Sequence, residues 1–169
     1  MTSEPHLNDG SIQTNTGGTP YDVGAAGFLR LVAGTYGVVF LLVGILGFIP
    51  GITTHYSDLS FAGHMSEAKL IGIFQVSVLH NLIHLAYGVV GLAVAARPRP
   101  AALYLLLGGI VYAVVWLYGL VVEHDSDANF VPLNSADNWL HLVLAVTMVA
   151  LGVVGLRRLQ HRGHGPSLA

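Results

Sequence analysis

The 169 residues make room for one compact unit, and only 9% of them carry charge, against roughly 25% in an ordinary soluble domain, so charged side chains cannot cover the surface in water. A net charge of −2, with no basic patch interleaved with aromatics, excludes a nucleic-acid partner. With no cysteine in the sequence, disulfides, thiolate catalysis, Cys-ligated zinc and iron–sulfur clusters are excluded as well.

Residues 1–27 are polar and rich in Gly, Ser, Thr and Asn, and they read as a disordered tail. The stretch is acidic and its apolar run comes too late for a signal peptide. The first apolar run goes from Phe28 to Ile49 and ends at Pro50-Gly51. The second goes from Leu70 to Ala96 and stops at Arg97-Pro98-Arg99-Pro100. A third covers Ala101 to Val122, and a fourth runs from Asn138 to Leu156, ahead of Arg157-Arg158 and a short tail over 158–169. Each is near the ~20 residues that a helix needs to cross a bilayer. Because a helix satisfies its own backbone hydrogen bonds in lipid, the predicted fold is an all-α membrane protein. Four transmembrane helices form a bundle over 28–157 (helices at 28–49, 70–96, 101–122 and 138–156).

The arginines orient that bundle. Arg30 precedes the first helix, Arg97 and Arg99 fill the turn after the second, and Arg157, Arg158 and Arg162 follow the fourth, all on one side of an alternating topology. The other side holds only Lys69, among Asp58, Glu67, Glu123, Asp125, Asp127 and Asp137. The positive-inside rule then puts both termini in the cytoplasm, with the longer loops, 50–69 and 123–137, outside.

An internal repeat is expected. Asn81-Leu82-Ile83-His84-Leu85 matches Asn138-Trp139-Leu140-His141-Leu142, and Tyr36-Gly37-Val38-Val39-Phe40-Leu41 matches Tyr112-Ala113-Val114-Val115-Trp116-Leu117. Phe48-Ile49-Pro50 and Phe130-Val131-Pro132 follow in the same order. Two related helical hairpins running the same way would be linked by a pseudo-twofold along the membrane normal. The Asn-x-x-His faces of the second and fourth helices would then point at each other across the bundle axis.

His80, Asn81, His84, Asn138 and His141 form the sharp feature, since residues three or four apart share a helix face. Counted from Arg97 and Arg157, the three histidines sit ~20 to ~25 Å from the cytoplasmic end, in one layer of the outer half of the membrane. Trp116 and Tyr118 reach the same layer, and Gln75, Ser77 and Glu123 lie further out, as if lining an approach. Polar groups in hydrocarbon need partners and should face inward. Three readings compete. Asn and His lock the packing by interhelical hydrogen bonds. Alternatively, His80, His84 and His141 bind a cofactor, with Asn81 and Asn138 orienting the rings: a bis-histidine haem b, or a transition metal such as zinc, copper or iron, held with Glu123. Third, His and Glu relay protons or line a transport path. No His-Glu-x-x-His or Cys-x-x-Cys-His string separates these chemistries.

The remaining features read plainly. Glycines at small spacings, such as Gly34, Gly37, Gly44 and Gly47, allow close helix contact. Trp116, Tyr118, Trp139 and Tyr56 fit an outer aromatic belt. His55, His64 and His124 fall in outer loops, and His161 and His164 in the basic tail beside anionic lipid.

Val78-Leu79-His80-Asn81-Leu82-Ile83-His84, Asn129-Phe130-Val131-Pro132-Leu133-Asn134 and Ala136-Asp137-Asn138-Trp139-Leu140-His141-Leu142 resemble the hallmark strings of a bacterial four-helix membrane family catalogued only as a domain of unknown function. The resemblance covers residues 28–157 and implies the four-helix architecture and a plasma-membrane location, with no activity, cofactor or catalytic residue to carry over. With no nucleophile–base pair, phosphate loop or paired intramembrane carboxylate, the expected protein is a non-enzymatic one that contacts the lipid bilayer. Its Asn/His layer locks the bundle or holds a cofactor. The alternatives are a haem or metal redox protein, and a transport, proton-relay or accessory subunit that contacts other membrane subunits.

Overall fold

A computed structural model describes residues 20–160. Four helices run through it: α1 Pro20–Leu46, α2 Val78–Val94, α3 Pro98–Val121 and α4 Ser135–Gln160. Helix α1 packs mainly on α2, and α3 on α4. Helix α1 also meets α3 across the bundle, while the backbones of α2 and α4 stay apart. The core between them buries Leu29, Ala33, Phe40, Leu105, Tyr112 and Met148.

Helices α2, α3 and α4 begin where the local sequence favours a helix start. The Ser77 hydroxyl accepts the His80 N–H at 3.1 Å and opens α2. Helix α3 starts with Pro98, whose missing N–H is no loss in a first turn. At α4 the Asn134 Oδ1 accepts the N–H groups of Ala136 and Asp137, at 2.8 and 3.0 Å, and the Asp137 carboxylate accepts the Asn134 N–H at 3.0 Å. This is a reciprocal capping box that satisfies donors the first turn would otherwise leave open.

Three helices, over Ala26–Leu46, Pro98–Val121 and Ser135–Gln160, are long and apolar enough to cross a membrane. Helix α2, with 17 residues, is shorter at ~25 Å. Their outward faces carry exposed Leu31, Val38, Leu42, Val89, Val114 and Val146, the surface that a bundle embedded in lipid presents.

Two predicted helix starts shift by eight residues, and the other helix ends by at most four. The second helix does not begin at Leu70: residues 70–77 belong to a small antiparallel meander of β1 (Thr53–Thr54), β2 (Lys69–Leu70) and β3 (Phe74–Gln75), with Leu70 paired to both Thr53 and Phe74. A short apolar run rich in β-branched residues reads equally as strand or helix, and Gly72, at φ +75°, turns the chain here. The first helix starts at Pro20 rather than Phe28, so the end of the predicted tail is helical. The tail segments 1–19 and 161–169 lie outside the described residues.

The meander and the 122–134 loop form a cap over one end of the bundle. Gly63 N–H donates to the Phe130 carbonyl at 2.7 Å, Asn134 Nδ2 to the Ile73 carbonyl at 2.8 Å, and Gln75 N–H to the Asp137 carboxylate at 3.1 Å. The tip of the β2–β3 turn is strained: Ile71 sits at φ 49°, in the left-handed region that a β-branched residue enters only at a cost. Ile71→Asn is expected to raise the stability of the detergent-solubilised protein by about 1 kcal/mol, read as an upward shift of its thermal midpoint. An unchanged or lower midpoint would mean that the apolar contacts of Ile71 outweigh its strain.

Candidate functional site

The Ser77 cap sets the rotation of α2, and with it His80, Asn81 and His84 turn inward at 7%, 0% and 7% exposure. The Asn134–Asp137 cap does the same for α4, burying Asp137, Asn138 and His141. All five residues singled out from the sequence are therefore buried, but they divide into two groups with different surroundings.

The asparagines sit against glycines at the ends of the neighbouring helices. Asn138 Nδ2 donates to the Gly119 carbonyl at 2.8 Å, and a Cβ on Gly119 would fall onto the Asn138 amide. A Cβ on Gly47 would likewise fall onto the Asn81 amide. Asn138 thus clasps the end of α3 by a hydrogen bond, while Asn81 fits against Gly47, just past the end of α1, with its Nδ2 unpartnered among the described residues. The expected role of orienting the histidine rings is at most slight. Asn81 Oδ1 lies 3.5 Å from His80 Nδ1, at the limit of a hydrogen bond, and Asn138 has no histidine partner among the described residues.

The histidines turn to a cavity. His80, His84, His141 and Asp137 line a space of about 260 Å³ whose remaining walls are apolar, with Phe40, Val43, Leu46 and Leu144 at its sides. The rings of His80 and His84 lie 4.2 Å apart, and His84 Nδ1 meets the His80 carbonyl at 3.0 Å. His84 packs edge-on to Phe40 with centroids 5.7 Å apart, and His141 packs on Tyr112 at 5.3 Å. Phe40 and Tyr112 are stacked on each other, 5.5 Å apart and 16° from parallel. The residues that meet across the bundle are thus this aromatic pair on α1 and α3. The histidines of α2 and α4 face one shared cavity rather than touching, since the Phe40–Tyr112 stack joins α1 and α3 while the backbones of α2 and α4 stand apart.

Contacts of the α1–α2 pair recur in the α3–α4 pair. A Cβ on Gly37 would meet the Leu92 nitrogen and the Gly88 carbonyl, at 2.8 and 3.1 Å. One on Gly109 would meet the Val149 nitrogen and the Ala145 carbonyl, at 2.7 and 3.0 Å.

Gln75 and Ser77 do not line an approach: the Gln75 side chain donates to the Ser66 carbonyl at 2.8 Å, and Ser77 is spent on the α2 cap. Glu123 is exposed in the loop after α3. His64 lies 3.8 Å from the exposed Asp127, and His55 and His124 are exposed. Among the described residues, no three His, Asp or Glu side chains cluster closely enough to hold a metal ion. His161 and His164 lie outside the described residues.

Asp137 is the member of the cavity that sequence reasoning passed over, having counted it only as an outer-loop acid. A signal was present: His80-Asn81-x-x-His84 and Asp137-Asn138-x-x-His141 place Asp137 where the other string has His80. The aromatic pair was signalled as well, by Gly37, Phe40 and Gly47 at the same spacing as Gly109, Tyr112 and Gly119.

Compared with known proteins, residues 30–154 match the family described as Domain of unknown function (DUF4383). No curated protein and no solved structure matches the chain.

Proposed function

The chain belongs to the DUF4383 family, and from its buried histidine face we propose that it is a non-enzymatic, four-span membrane protein that holds a small lipid-soluble ligand in an intramembrane cavity. The observation that carries this reading is the composition of the cavity: three histidines and one carboxyl converge on an otherwise apolar space walled by α1, α2, α4 and the β2–β3 turn. Mostly apolar walls with a few convergent polar groups are the general form of a small-molecule site. At about 260 Å³ the space falls just below the ~300–1,000 Å³ range of such sites, which favours a small ligand over a macrocycle. The asparagines then serve as the lock and the histidines as the binding face, so the two sequence readings divide between residue types.

In this reading α2 completes its crossing with the cap that extends it, both termini are cytoplasmic, and the membrane is the bacterial plasma membrane. The arginines Arg30, Arg97, Arg99, Arg157 and Arg158 at one end of the helices support that orientation. The two helical pairs descend from one duplicated hairpin, related by a pseudo-twofold along the membrane normal. Support comes from the recurring contacts, which pair Gly37 with Gly109, Phe40 with Tyr112, Gly47 with Gly119 and His84 with His141. That register lies one helical turn away from the alignment of Tyr36 with Tyr112 suggested by residue names.

The test is to purify the protein in mild detergent, denature it, and identify released small molecules by mass spectrometry, beside an optical spectrum and metal analysis of the same sample. A stoichiometric lipophile released from the wild type and absent from His141→Leu is the expected result. A Soret band that shifts on reduction, or stoichiometric metal, would replace this reading with a haem or metal protein. Labelling of single cysteines placed at the two ends checks the four crossings and the cytoplasmic termini.

A further inference from the structure

We propose that the ligand of this cavity is a neutral hydroxyl-bearing lipophile, of the class of alkylphenols and hydroquinones, which enters sideways from the bilayer between α1 and α4 and donates a hydrogen bond from its hydroxyl to His84 Nε2. The proposal rests on the cavity reading above and adds the polarity of the site and its route of access.

The polarity follows from one hydrogen bond. His84 Nδ1 lies 3.0 Å from the His80 backbone carbonyl. A carbonyl oxygen only accepts, so Nδ1 carries the proton, and Nε2 of the neutral ring is left as an acceptor. Nε2 has no partner among the described residues and is not one of the fully buried unpartnered atoms, so it reaches the cavity its ring lines. Asp137, opposite on α4, adds carboxyl oxygens, which are acceptors when ionised. Two backbone N–H groups, from Asn134 and Gln75, already occupy its Oδ2 and hold it in place, which leaves Oδ1 without a protein partner among the described residues. At His84 Nε2, and at Asp137 Oδ1 when that carboxyl is ionised, the cavity presents acceptors that a hydroxyl donor would pair. A ligand with carbonyl oxygens alone would leave these groups unpaired in an apolar space, where a lost hydrogen bond is costly.

Charge and access narrow the class. An ammonium group would also donate, but it would have to shed its hydration into a site with no second carboxylate among its lining residues. A hydroxyl on an apolar ring carries no such cost. The rim of the cavity is made of Val39 on α1, Leu140 on α4 and Ile71 on the β2–β3 turn, all exposed. Val39 and Leu140 belong to the apolar outer faces of their helices, so the opening between them looks toward lipid. The meander and the 122–134 loop close the end of the bundle above it through the Gln75–Asp137 and Asn134–Ile73 hydrogen bonds. A molecule already dissolved in the bilayer reaches such an opening directly.

The experiment compares 4-propylphenol with 4-propylanisole, its methyl ether, for saturable binding to the full chain in lipid nanodiscs, with partitioning into empty nanodiscs subtracted. The phenol is expected to bind about tenfold more tightly, the ratio corresponding to one hydrogen bond. His84→Phe, which keeps an aromatic ring and removes the acceptor, is expected to bind both equally, and His84→Gln, which restores an acceptor oxygen, to recover part of the difference. Equal binding of the two probes to the wild type overturns the donor assignment and leaves the cavity reading intact. A phenol preference that survives His84→Phe overturns the role of His84. If neither probe binds the wild type saturably, both the donor assignment and the binding reading beneath it fall.

Discussion

Gly119→Ala is expected to destabilise the folded protein by on the order of 3 kcal/mol, the upper end of what overpacking costs. The added Cβ would fall onto the Asn138 amide, which also holds the Gly119 carbonyl at 2.8 Å. The amide cannot move aside without giving up that bond and leaving a buried polar group unpaired, so two costs act together. Both helices are fixed at this point, α3 by its end and α4 by its capped first turn, and so neither can translate to make room. The measurement is the thermal midpoint in detergent, with Gly27→Ala as control: a Cβ on Gly27 meets nothing within 4 Å, and that variant should hold or slightly gain stability through helix propensity. The double variant Gly119→Ala with Asn138→Ala should be less damaged than the sum of the two single losses, because removing the amide frees the space. Equal midpoints for Gly119→Ala and Gly27→Ala would sink the clasp.

The second large effect is expected at Phe40→Ala, a loss of about 4 kcal/mol, within the usual range for truncating a buried aromatic. Phe40 is 1% exposed and stacks on Tyr112, with His84 and Tyr87 against its edges at 5.7 and 5.4 Å. Association between helices in lipid draws little from the hydrophobic effect and depends on packing, so an emptied aromatic site is poorly compensated. Phe40 also forms a wall of the histidine cavity. Truncation should therefore enlarge the cavity as well as weaken the bundle, and Phe40→Leu should recover most of the stability. Thermal midpoints of the two variants, measured beside 4-propylphenol binding, separate the effects. If Phe40→Ala is as stable as the wild type, the α1–α3 stack does not hold the bundle together.

The helical architecture was legible in the sequence because apolar run length and charge placement report on it directly. Runs such as Ala101–Val122, closed by arginine and proline on one side and acidic residues on the other, leave little choice but a helix. The run from Leu70 to Ala96 misled because apolar character continues through Leu70-Ile71-Gly72-Ile73-Phe74, where the chain folds as a hairpin. Hydropathy does not register that change of period. The inward position of His80, Asn81, His84, Asn138 and His141 was likewise readable, since buried polar groups are too costly to leave facing lipid.

What those residues touch was decided only in three dimensions. Asparagine and histidine look alike as polar groups within apolar runs in a string of letters. Their separation into clasp and cavity depends on Gly47 and Gly119 lying opposite the asparagines, from positions 34 and 19 residues away in the chain. The Phe40–Tyr112 stack brings α1 and α3 together and so sets α2 and α4 apart. Asp137 joins the cavity through its capping box. Composition and periodicity determine that polar groups turn inward, because that follows from the cost of solvating each residue. Which partner each one meets depends on helix register and crossing, and these are set by the packing of glycines and aromatics far apart in the chain.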